Sequence, residues 1–408
     1  MKGKKHVLIA MIGILSIALT ATGSLAANRD FDKADTIRFG SLGPVQLVPG
    51  IGIHNAAKMA VEEINAAGGI HGKKIELFIG DTEGKPEKGI NALKKLVLED
   101  KVDVLLGCYS SGVALALQPY LPRYKTVYVA TGTASIALTN NVKKDYKKYK
   151  YFFRNMINSD VRQQQWATKF LKEFVNAKLG YTKFAILAEN TKWVQEYGPN
   201  LKKDLGDAGF DVVFYEMFDI DIKDFSPTFV KIKSAGAQWI AQIVSHAASI
   251  PLTKAWQDTK TAPMGLCNVA SMDSKFWEMT GGKCEGEITY NFIARAPLTD
   301  KTIPMWDKYV SQFGTNPVYT VGFTYDTVYM LTEVIKEKKS LKSDDIVEGL
   351  ENISYKGVLH PEVGFDKESH DLLEGRYVMP MVQWQSGGKQ VVIWPDSFKT
   401  GDYVPPAW

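Results

Sequence analysis

Two adjacent serines stand where hydroxyl chemistry could hold an anion. Ser110 and Ser111 follow the apolar stretch Val102–Leu106 and precede a helical pattern that begins near Val113. A serine hydroxyl and the exposed amides at a helix N-terminus are donors that suit a carboxylate. The structural alternative is that the serines only cap the helix, a role worth about 1 kcal/mol. The two roles are compatible, and the pattern predicts an anion-binding loop.

One histidine could combine with these serines in a hydrolase. His246 follows the strand pattern Trp239–Val244, and hydrolysis by a serine requires a base within its reach. The sequence has no G-x-S-x-G motif, and its glycine loops match neither G-x-G-x-x-G after a strand nor G-x-x-x-x-G-K-[ST]. A hydrolase would show turnover that Ser111→Ala abolishes. We expect no enzymatic activity and no nucleotide cofactor.

Acidic and cysteine side chains give weaker signals. The aspartates within Asp219–Asp224 alternate as in a calcium loop, but the glycine and the final glutamate of such a loop are missing, so we expect no metal site. The chain has three cysteines and no CxxC pair. Cys267 and Cys284 could close a short disulfide loop in an exported protein or could stay reduced, and Cys108 is expected to be a buried thiol.

The composition is that of an ordinary globular protein that is too long for one core. Of the 408 residues, 45% are hydrophobic and 23% are charged, whereas single cores stop growing at about 250–300 residues. The formal charge is +4, and it falls to +1 when the three lysines among the first five residues are removed with a leader. A nearly neutral chain has no field to hold a polyanion, so nucleic acid is not an expected partner.

Residues 1–27 have the organisation of a secretory signal peptide. A basic start is followed by the apolar stretch Val7–Leu19 and then by small residues that suit cleavage near Ala26–Ala27. The apolar stretch is short for a membrane span, and a retained N-terminal anchor is the alternative. We therefore expect a mature protein in the periplasm.

The elements that must position these residues alternate between strands and helices. Strands are predicted at Thr36–Gly40, Lys74–Ile79, Val102–Leu106, Thr126–Ala130, Lys183–Leu187, Val212–Tyr215, Trp239–Val244, Met264–Cys267 and Glu287–Asn291. Helical patterns lie between them, a basic loop covers Lys143–Lys150, and a hairpin is predicted around Ser386–Gly388. Repeated strand–helix units predict an α/β fold with two parallel sheets, in two lobes, whose ligand lies beyond the carboxyl ends of the strands.

Short motifs spread over the whole mature chain share one family resemblance. In chain order they are Gly43-Pro44, Ala60–Asn65, Gly68-Gly69-Ile70, Asp81, Gly107–Ser111, Thr131–Ser135, Asp224-Phe225-Ser226, Gly322–Asp326 and Gly364-Phe365-Asp366. Together they resemble periplasmic solute-binding proteins of ABC importers, of the branched-chain amino acid (leucine/isoleucine/valine) type. The resemblance implies two Rossmann-like lobes joined by three crossovers near Met156, Asn291 and Tyr355. The N-terminal lobe would hold residues 28–156 and 292–355, and the C-terminal lobe residues 157–291 and 356–408.

The resemblance also implies which first-lobe loops hold the ligand. In the family's amino acid binders a serine at the place of Ser111 holds the ligand carboxylate, and the next loop adds amides and a threonine whose place here falls on Ala134. Simple turn formation is the alternative for that loop. The first-lobe candidates are Tyr109, Ser110, Ser111, Thr131, Thr133 and Ala134.

Three second-lobe residues complete the expected site. Trp193 stands where the family stacks an aromatic ring on the solute, and His246 lies in a loop that faces the cleft; structural packing is the alternative for both. Asn268 stands where amino acid binders place an acid that pairs with the ligand ammonium. An asparagine cannot neutralise a buried cation. The pocket is therefore expected to recognise an acid and not an amine.

These residues predict an exported protein that binds a small molecule, without catalysis or cofactor, and delivers it to an ABC permease. The expected ligand is a small organic acid, aromatic acids included. Branched-chain or other amino acids, amides and urea are the alternative ligands, and a ligand-sensing receptor without transport is the alternative class. We expect a monomer.

Overall fold

The computed structural model describes residues 29–157, 162–373 and 378–408, and the predicted signal peptide lies outside them. In these ranges we find no helix that has both the length and the apolar character needed to cross a membrane.

The first sheet has five strands that are all parallel. Their bounds are β1 (Thr36–Gly43), β2 (Lys74–Asp81), β3 (Val104–Gly107), β4 (Val127–Ala130) and β5 (Phe152–Arg154). The order across the sheet is β2-β1-β3-β4-β5. Every residue of β3, β4 and β5 is buried, which explains their unbroken apolar character, since helices cover both faces. Strand β5 was not predicted because three residues carry no readable periodicity.

Six helices follow the strands of the first sheet. They are α1 (Val48–Ala66), α2 (Pro86–Lys94), α3 (Ser111–Leu117), α4 (Leu121–Tyr124), α5 (Ala137–Lys144) and α6 (Tyr146–Tyr149). The basic segment predicted as a loop is therefore largely helical: α5 ends in it, and Asp145 caps α6 by accepting a hydrogen bond from the Lys148 amide.

The second sheet is mixed and has seven strands. They are β6 (Lys183–Glu189), β7 (Asp211–Phe218), β8 (Trp239–Val244), β9 (Gly265–Asn268), β10 (Ile288–Tyr290), β11 (Met381–Gln385) and β12 (Lys389–Trp394). Their order is β12-β11-β10-β9-β8-β6-β7. Strands β6 to β10 are parallel, whereas β11 and β12 form the predicted antiparallel hairpin. The intervening helices are α7 (Gln164–Phe170), α8 (Lys192–Asp207), α9 (Ser226–Ser234), α10 (Ser249–Thr259) and α11 (Phe276–Thr280).

The chain then returns to the first sheet with three helices. They are α12 (Thr302–Phe313), α13 (Tyr319–Lys338) and α14 (Ser343–Glu351). Helix α13 packs along α1 and α14 packs on α13. The α1–α13 approach is close at Gly52, where an added Cβ would lie 2.8 Å from the Thr320 hydroxyl oxygen. The predicted two-lobed α/β fold is confirmed, while α14 was not predicted.

The segment after α14 also contacts the first sheet. The Arg154 guanidinium of β5 donates two hydrogen bonds to the Asp371 carboxylate, with N···O distances of 2.9 and 2.7 Å. The ring of Phe365 lies edge-on against Phe153, with centroids 5.2 Å apart. The predicted division of the chain, which gives residues 356–408 to the second lobe, stays a prediction; Phe365 and Asp371 link part of this range to the first sheet, whereas β11 and β12 belong to the second. Isolated bridges hold this segment, such as that between Arg154 and Asp371, and they leave no pattern in the sequence.

All three cysteines are free and buried. Cys267 lies in β9, whereas Cys284 packs in a separate apolar cluster with Phe276 and Trp384, so the disulfide alternative is not realised. Burial raises the pKa of the Cys267 and Cys284 thiols to about 12. Burial also raises the pKa of Cys108 to about 11, as expected for an inert thiol.

Candidate functional site

The carboxyl ends of strands from both sheets surround one cavity of about 190 Å³. The loops after β3 and β4 form its first-lobe wall, and the loops after β6, β8 and β9 form its second-lobe wall. This arrangement agrees with the general location of ligand sites in open α/β sheets.

A turn with left-handed backbone conformation follows β3 and sets the course of the loop that forms the first-lobe wall. Gly107 has a φ of +100°, and an added Cβ there would lie 2.4 Å from the Leu42 carbonyl oxygen, so only glycine fits. Cys108 follows with a φ of +64°, and its amide donates to the same carbonyl oxygen at 2.6 Å. This turn brings Tyr109 and Ser110 to the cavity.

The Ser111 hydroxyl is prepared to donate a hydrogen bond. Ser111 is 4% exposed and lines the cavity. Its Oγ accepts hydrogen bonds from the amides of Ala134 and Ser135, each at 3.2 Å. Because these bonds use the oxygen's two lone pairs, the hydroxyl proton is left to donate. The capping alternative is not observed, since α3 begins after Ser110 without a side-chain capping bond.

In the loop after β4, the residues that line the cavity are not the predicted threonines. Gly132 and Ala134 form part of the wall. The Thr131 hydroxyl pairs with Thr324 of α13 at 2.7 Å, and Thr133 is buried outside the wall. The prediction of Thr131 and Thr133 as contacts is therefore corrected: neither residue lines the cavity, and the Thr131 hydroxyl is engaged by α13 instead.

Aromatic side chains join the two walls. The Tyr109 hydroxyl donates to the Ser245 carbonyl oxygen at 2.8 Å and lies 3.2 Å from Nε2 of His246. The Trp193 indole donates to the Ser245 hydroxyl at 3.3 Å. Tyr109, Trp193 and His246 all line the cavity, and their contact with a ligand stays a prediction.

A buried glutamate that the sequence analysis missed fixes the histidine loop. Glu189 at the end of β6 is fully buried and accepts hydrogen bonds from the amides of Ser245 and His246, both at 3.0 Å. Its carboxylate also lies 2.9 Å from Nδ1 of His246. This contact assigns a proton to Nδ1 and leaves Nε2 to face Tyr109. An acid that ends an otherwise apolar strand is the signal that could have found it.

Asn268 does not face the cavity. It is 0% exposed, and its Nδ2 donates to the Glu287 carboxyl at 2.7 Å. Its neighbours Cys267 and Val269 line the cavity instead. Side chains alternate along a strand, so a shift of one residue exchanges the two faces. The assignment of Asn268 as a ligand contact is therefore corrected.

The charge of the cavity is set by its complete wall and not by Asn268. Among the described residues that line the cavity there is no Asp or Glu, and Lys192 and His246 supply the basic groups. Three further aromatic residues, Tyr290, Phe292 and Tyr319, belong to the wall and were not predicted. They come from β10, the crossover after it and α13, which only the tertiary fold brings together.

Thr191 is a further polar wall residue that sequence reasoning missed. It precedes α8 and lines the cavity. Its hydroxyl oxygen is buried and has no hydrogen-bond partner among the described residues. A buried hydroxyl without a partner costs free energy, so a ligand atom that bonded it would gain affinity.

Glu287, the partner of Asn268, makes the stability of the protein depend on pH. Burial raises its pKa from 4.5 to about 7, although Thr253 and Asn268 donate hydrogen bonds to it. Between these pH values the folded state binds more protons than the unfolded state, so stability is lost as the pH rises. A shift of this size corresponds to about 3 kcal/mol.

Urea denaturation at pH 4.5 and pH 8 checks this expectation with the variant Glu287→Gln. The wild type should lose more free energy of unfolding between the two pH values than the variant, whose neutral amide does not titrate. Asp326, whose pKa burial also raises to about 7, titrates in both proteins and cancels in the comparison. Equal losses in the two proteins would contradict the assignment.

Comparison with known proteins identifies relatives along nearly the whole chain. A family model described as periplasmic binding protein matches residues 40–389. The Leu/Ile/Val-binding protein homolog 1 of Brucella abortus (strain 2308) is 25% identical over 375 residues, which cover 91% of this chain and 95% of the relative.

Solved structures share the fold. A branched-chain amino acid ABC transporter protein from Silicibacter pomeroyi has a TM-score of 0.74 and 20% identity, covering 91% of this chain and 100% of that chain. A solute-binding protein of an ABC transporter from Rhodopseudomonas palustris BisB5, in complex with 3,4-dihydroxybenzoic acid, has a TM-score of 0.75 and 18% identity, with 91% and 98% covered. A branched-chain amino acid transporter substrate-binding protein from Streptococcus pneumoniae, in complex with isoleucine, has a TM-score of 0.74 and 19% identity, with 87% and 97% covered.

Proposed function

The chain belongs to the periplasmic binding protein family, and we propose that it captures a small aromatic organic acid between its lobes for delivery to an ABC importer. Its relatives and structural neighbours are substrate-binding proteins of ABC transporters, and the chain is a binding protein and not an enzyme. The observation that carries the choice of ligand is the cavity wall, which presents a donating serine hydroxyl and, among its described residues, no carboxylate.

The first-lobe end of the cavity holds the ligand carboxylate. Ser111 donates its hydroxyl proton to one oxygen, and Ser110 lies beside it on the wall. From the second lobe, Thr191 supplies its unpartnered hydroxyl, and Lys192 adds a half-exposed ammonium that also lies 3.7 Å from the Glu196 carboxylate. Hydrogen bonds to a charged group are worth about 1.5–3 kcal/mol each, so a few of them select an acid.

The rest of the cavity suits an aromatic body. Tyr109, Trp193, Tyr290, Phe292 and Tyr319 present ring faces and edges, together with the aliphatic side chain of Val269. Offset and edge-to-face ring contacts add about 0.5–1.5 kcal/mol beyond area burial. A flat ring therefore uses this wall better than a branched aliphatic chain.

Branched-chain amino acids are the second candidate, since the family relatives carry names of Leu/Ile/Val-binding proteins. Their carboxylate would find the same serines. Their ammonium would meet no carboxylate among the described wall residues, and an unpaired buried charge is costly. Aromatic acids are favoured for this reason.

Ligand capture works by a shift between open and closed lobes. Tyr109 bonds Ser245 across the cleft, and the Ser135 hydroxyl donates to Glu196 of α8 at 2.9 Å. A ligand that contacts both walls favours the closed arrangement because it bonds fully only there. The leader predicted at residues 1–27 supports export, and the proposed protein acts as a monomer in the periplasm and passes its cargo to an ABC permease.

A thermal-shift panel tests the proposed ligand class. The mature chain is stripped of ligand by unfolding and refolding, and its Tm is then measured with benzoate-type acids, aliphatic acids, leucine, isoleucine, valine, amides and urea. A ligand at one hundred times its Kd adds about 2.7 kcal/mol of stability. We expect the largest Tm increase with 4-hydroxybenzoate or a related aromatic acid.

The panel also separates the alternatives. A Tm increase with leucine and none with aromatic acids would overturn the ligand assignment. The acid bound should be recovered unchanged by chromatography, because a binding protein does not transform it. Uptake of the same acid is then measured in cells with and without this protein. Loss of uptake on deletion indicates delivery to an importer, whereas unchanged uptake would favour a receptor.

A further inference from the structure

A second cavity adjoins the ligand cavity on the far side of one chain segment. It has a volume of about 180 Å³. Its walls come from β11, β12, α12 and the crossover after β10, including Trp306, Val382 and Val392. The ligand cavity has nearly the same volume, about 190 Å³.

The segment between the two cavities shows strict alternation. Tyr290 and Phe292 line the ligand cavity, whereas Thr289, Asn291 and Ile293 line the second cavity. Alternate side chains of extended backbone point to opposite sides. The two spaces are therefore separated by one strand thickness of chain.

Met272 is the residue that belongs to both walls. It is 1% exposed and ends the short helical turn Ala270–Met272. The Gln390 amide group donates to the carbonyl oxygens of Ser271 and Met272 at 3.1 and 3.2 Å, so the backbone of this turn is held in place. The methionine side chain is then the part of the partition that a substitution can remove without moving the chain.

We propose that Met272 is the specificity-determining partition that limits the length of the bound acid. This inference rests on the proposed function, in which Ser111 of the first lobe holds the carboxylate and the ring extends toward the second lobe. Met272 is supplied by the second lobe and closes the cavity there. Removing its side chain joins the two cavities, and the added space accepts a second ring.

Calorimetric titration of two probe acids tests the partition. 4-Hydroxybenzoate represents an acid that fits the ligand cavity, and biphenyl-4-carboxylate represents one that needs the second cavity. The wild type should bind the short acid and bind the long acid at least about tenfold more weakly. Met272→Ala should bind the long acid at least about tenfold more tightly than the wild type does.

Matched variants separate a joined cavity from a merely larger one. Met156 is also a buried methionine of the ligand cavity but does not line the second cavity, so Met156→Ala should not gain the long acid. Ala294 lines only the second cavity, and Ala294→Leu added to Met272→Ala should remove the gain while short-acid binding remains. Met272→Val, a smaller truncation, replaces Met272→Ala if circular dichroism shows that the alanine variant does not fold.

The outcomes distinguish the two proposals. If the wild type binds neither acid, the proposed ligand class is wrong. If the wild type binds the short acid but folded Met272→Ala and Met272→Val gain nothing for the long one, the partition is wrong. Equal gains in Met156→Ala, or a gain that survives Ala294→Leu, would also overturn the role of Met272.

Discussion

Replacing Ser111 by alanine is expected to weaken binding of an aromatic acid about ten- to a hundredfold. The variant removes a hydroxyl whose oxygen already accepts two backbone amides and whose proton is therefore committed to donation. A hydrogen bond to a charged group contributes about 1.5–3 kcal/mol, which corresponds to this range. Isothermal titration of the ligand-free proteins measures the effect as a ratio of Kd values.

Ser274→Ala is the matched control for this variant. The Ser274 hydroxyl also bonds within the protein, to Thr315 at 3.0 Å, but the residue does not line the ligand cavity. Its loss should leave the Kd unchanged. Because Ser111→Ala also deprives the Ala134 and Ser135 amides of their acceptor, the unfolding of both ligand-free variants is compared. An unchanged Kd in folded Ser111→Ala would exclude Ser111 as the carboxylate anchor.

Replacing Arg154 by methionine is expected to cost about 3–5 kcal/mol of unfolding free energy. Arg154 is 0% exposed and pairs with Asp371 through two hydrogen bonds. The variant removes both of these charge-assisted hydrogen bonds from the buried Asp371 carboxylate, and breaking a buried ion pair by removing one partner is strongly unfavourable. Arg154 also donates to the Ser135 carbonyl oxygen at 2.6 Å, and the Ser135 amide bonds Ser111. The loss should therefore weaken ligand binding as well.

Two comparisons check this explanation by urea denaturation. Arg295 pairs with Asp307 through two hydrogen bonds as well, but its side chain is 59% exposed. The variant Arg295→Met should therefore change the free energy of unfolding little. The double variant Arg154→Met, Asp371→Leu removes both buried charges and should be more stable than Arg154→Met alone. If Arg154→Met unfolds at the same urea concentration as Arg295→Met, the buried pair does not have the assigned role.

The order of strands and helices could be predicted from the sequence because periodicity is a local property. Nine strand patterns each correspond to a strand of the structure, with ends that differ by a few residues. Missed elements such as β5 and α14 show why this method has a limit. Strand β5 has three residues, and its stability comes from pairing with β4 and from the buried Arg154–Asp371 contact. Pairing of this kind leaves no local pattern.

The candidate site divides in the same way. Ser111, Trp193 and His246 could be placed at the cavity because each follows a strand whose carboxyl end is recognisable. Asn268 could not be placed, because alternate side chains of a strand point to opposite faces. A shift of one residue in the alignment therefore moves a side chain from the cavity to the core. Glu189 was overlooked for a related reason: its role depends on Ser245 and His246, which are distant in sequence.

The sequence by itself determined the parallel strands of both sheets, the loops that line the cavity and the serine among them, because strand patterns, glycine turns and hydroxyl chemistry are encoded locally. Only the tertiary structure decided which side chains share the cavity wall. Thr131, Thr133 and Asn268 lie outside this wall, whereas Tyr290, Phe292 and Met272 belong to it. The physical reason is that a wall is made by residues far apart in the chain. The charge and the length of the cavity depend on packing between elements and not on the conformational preference of any one segment.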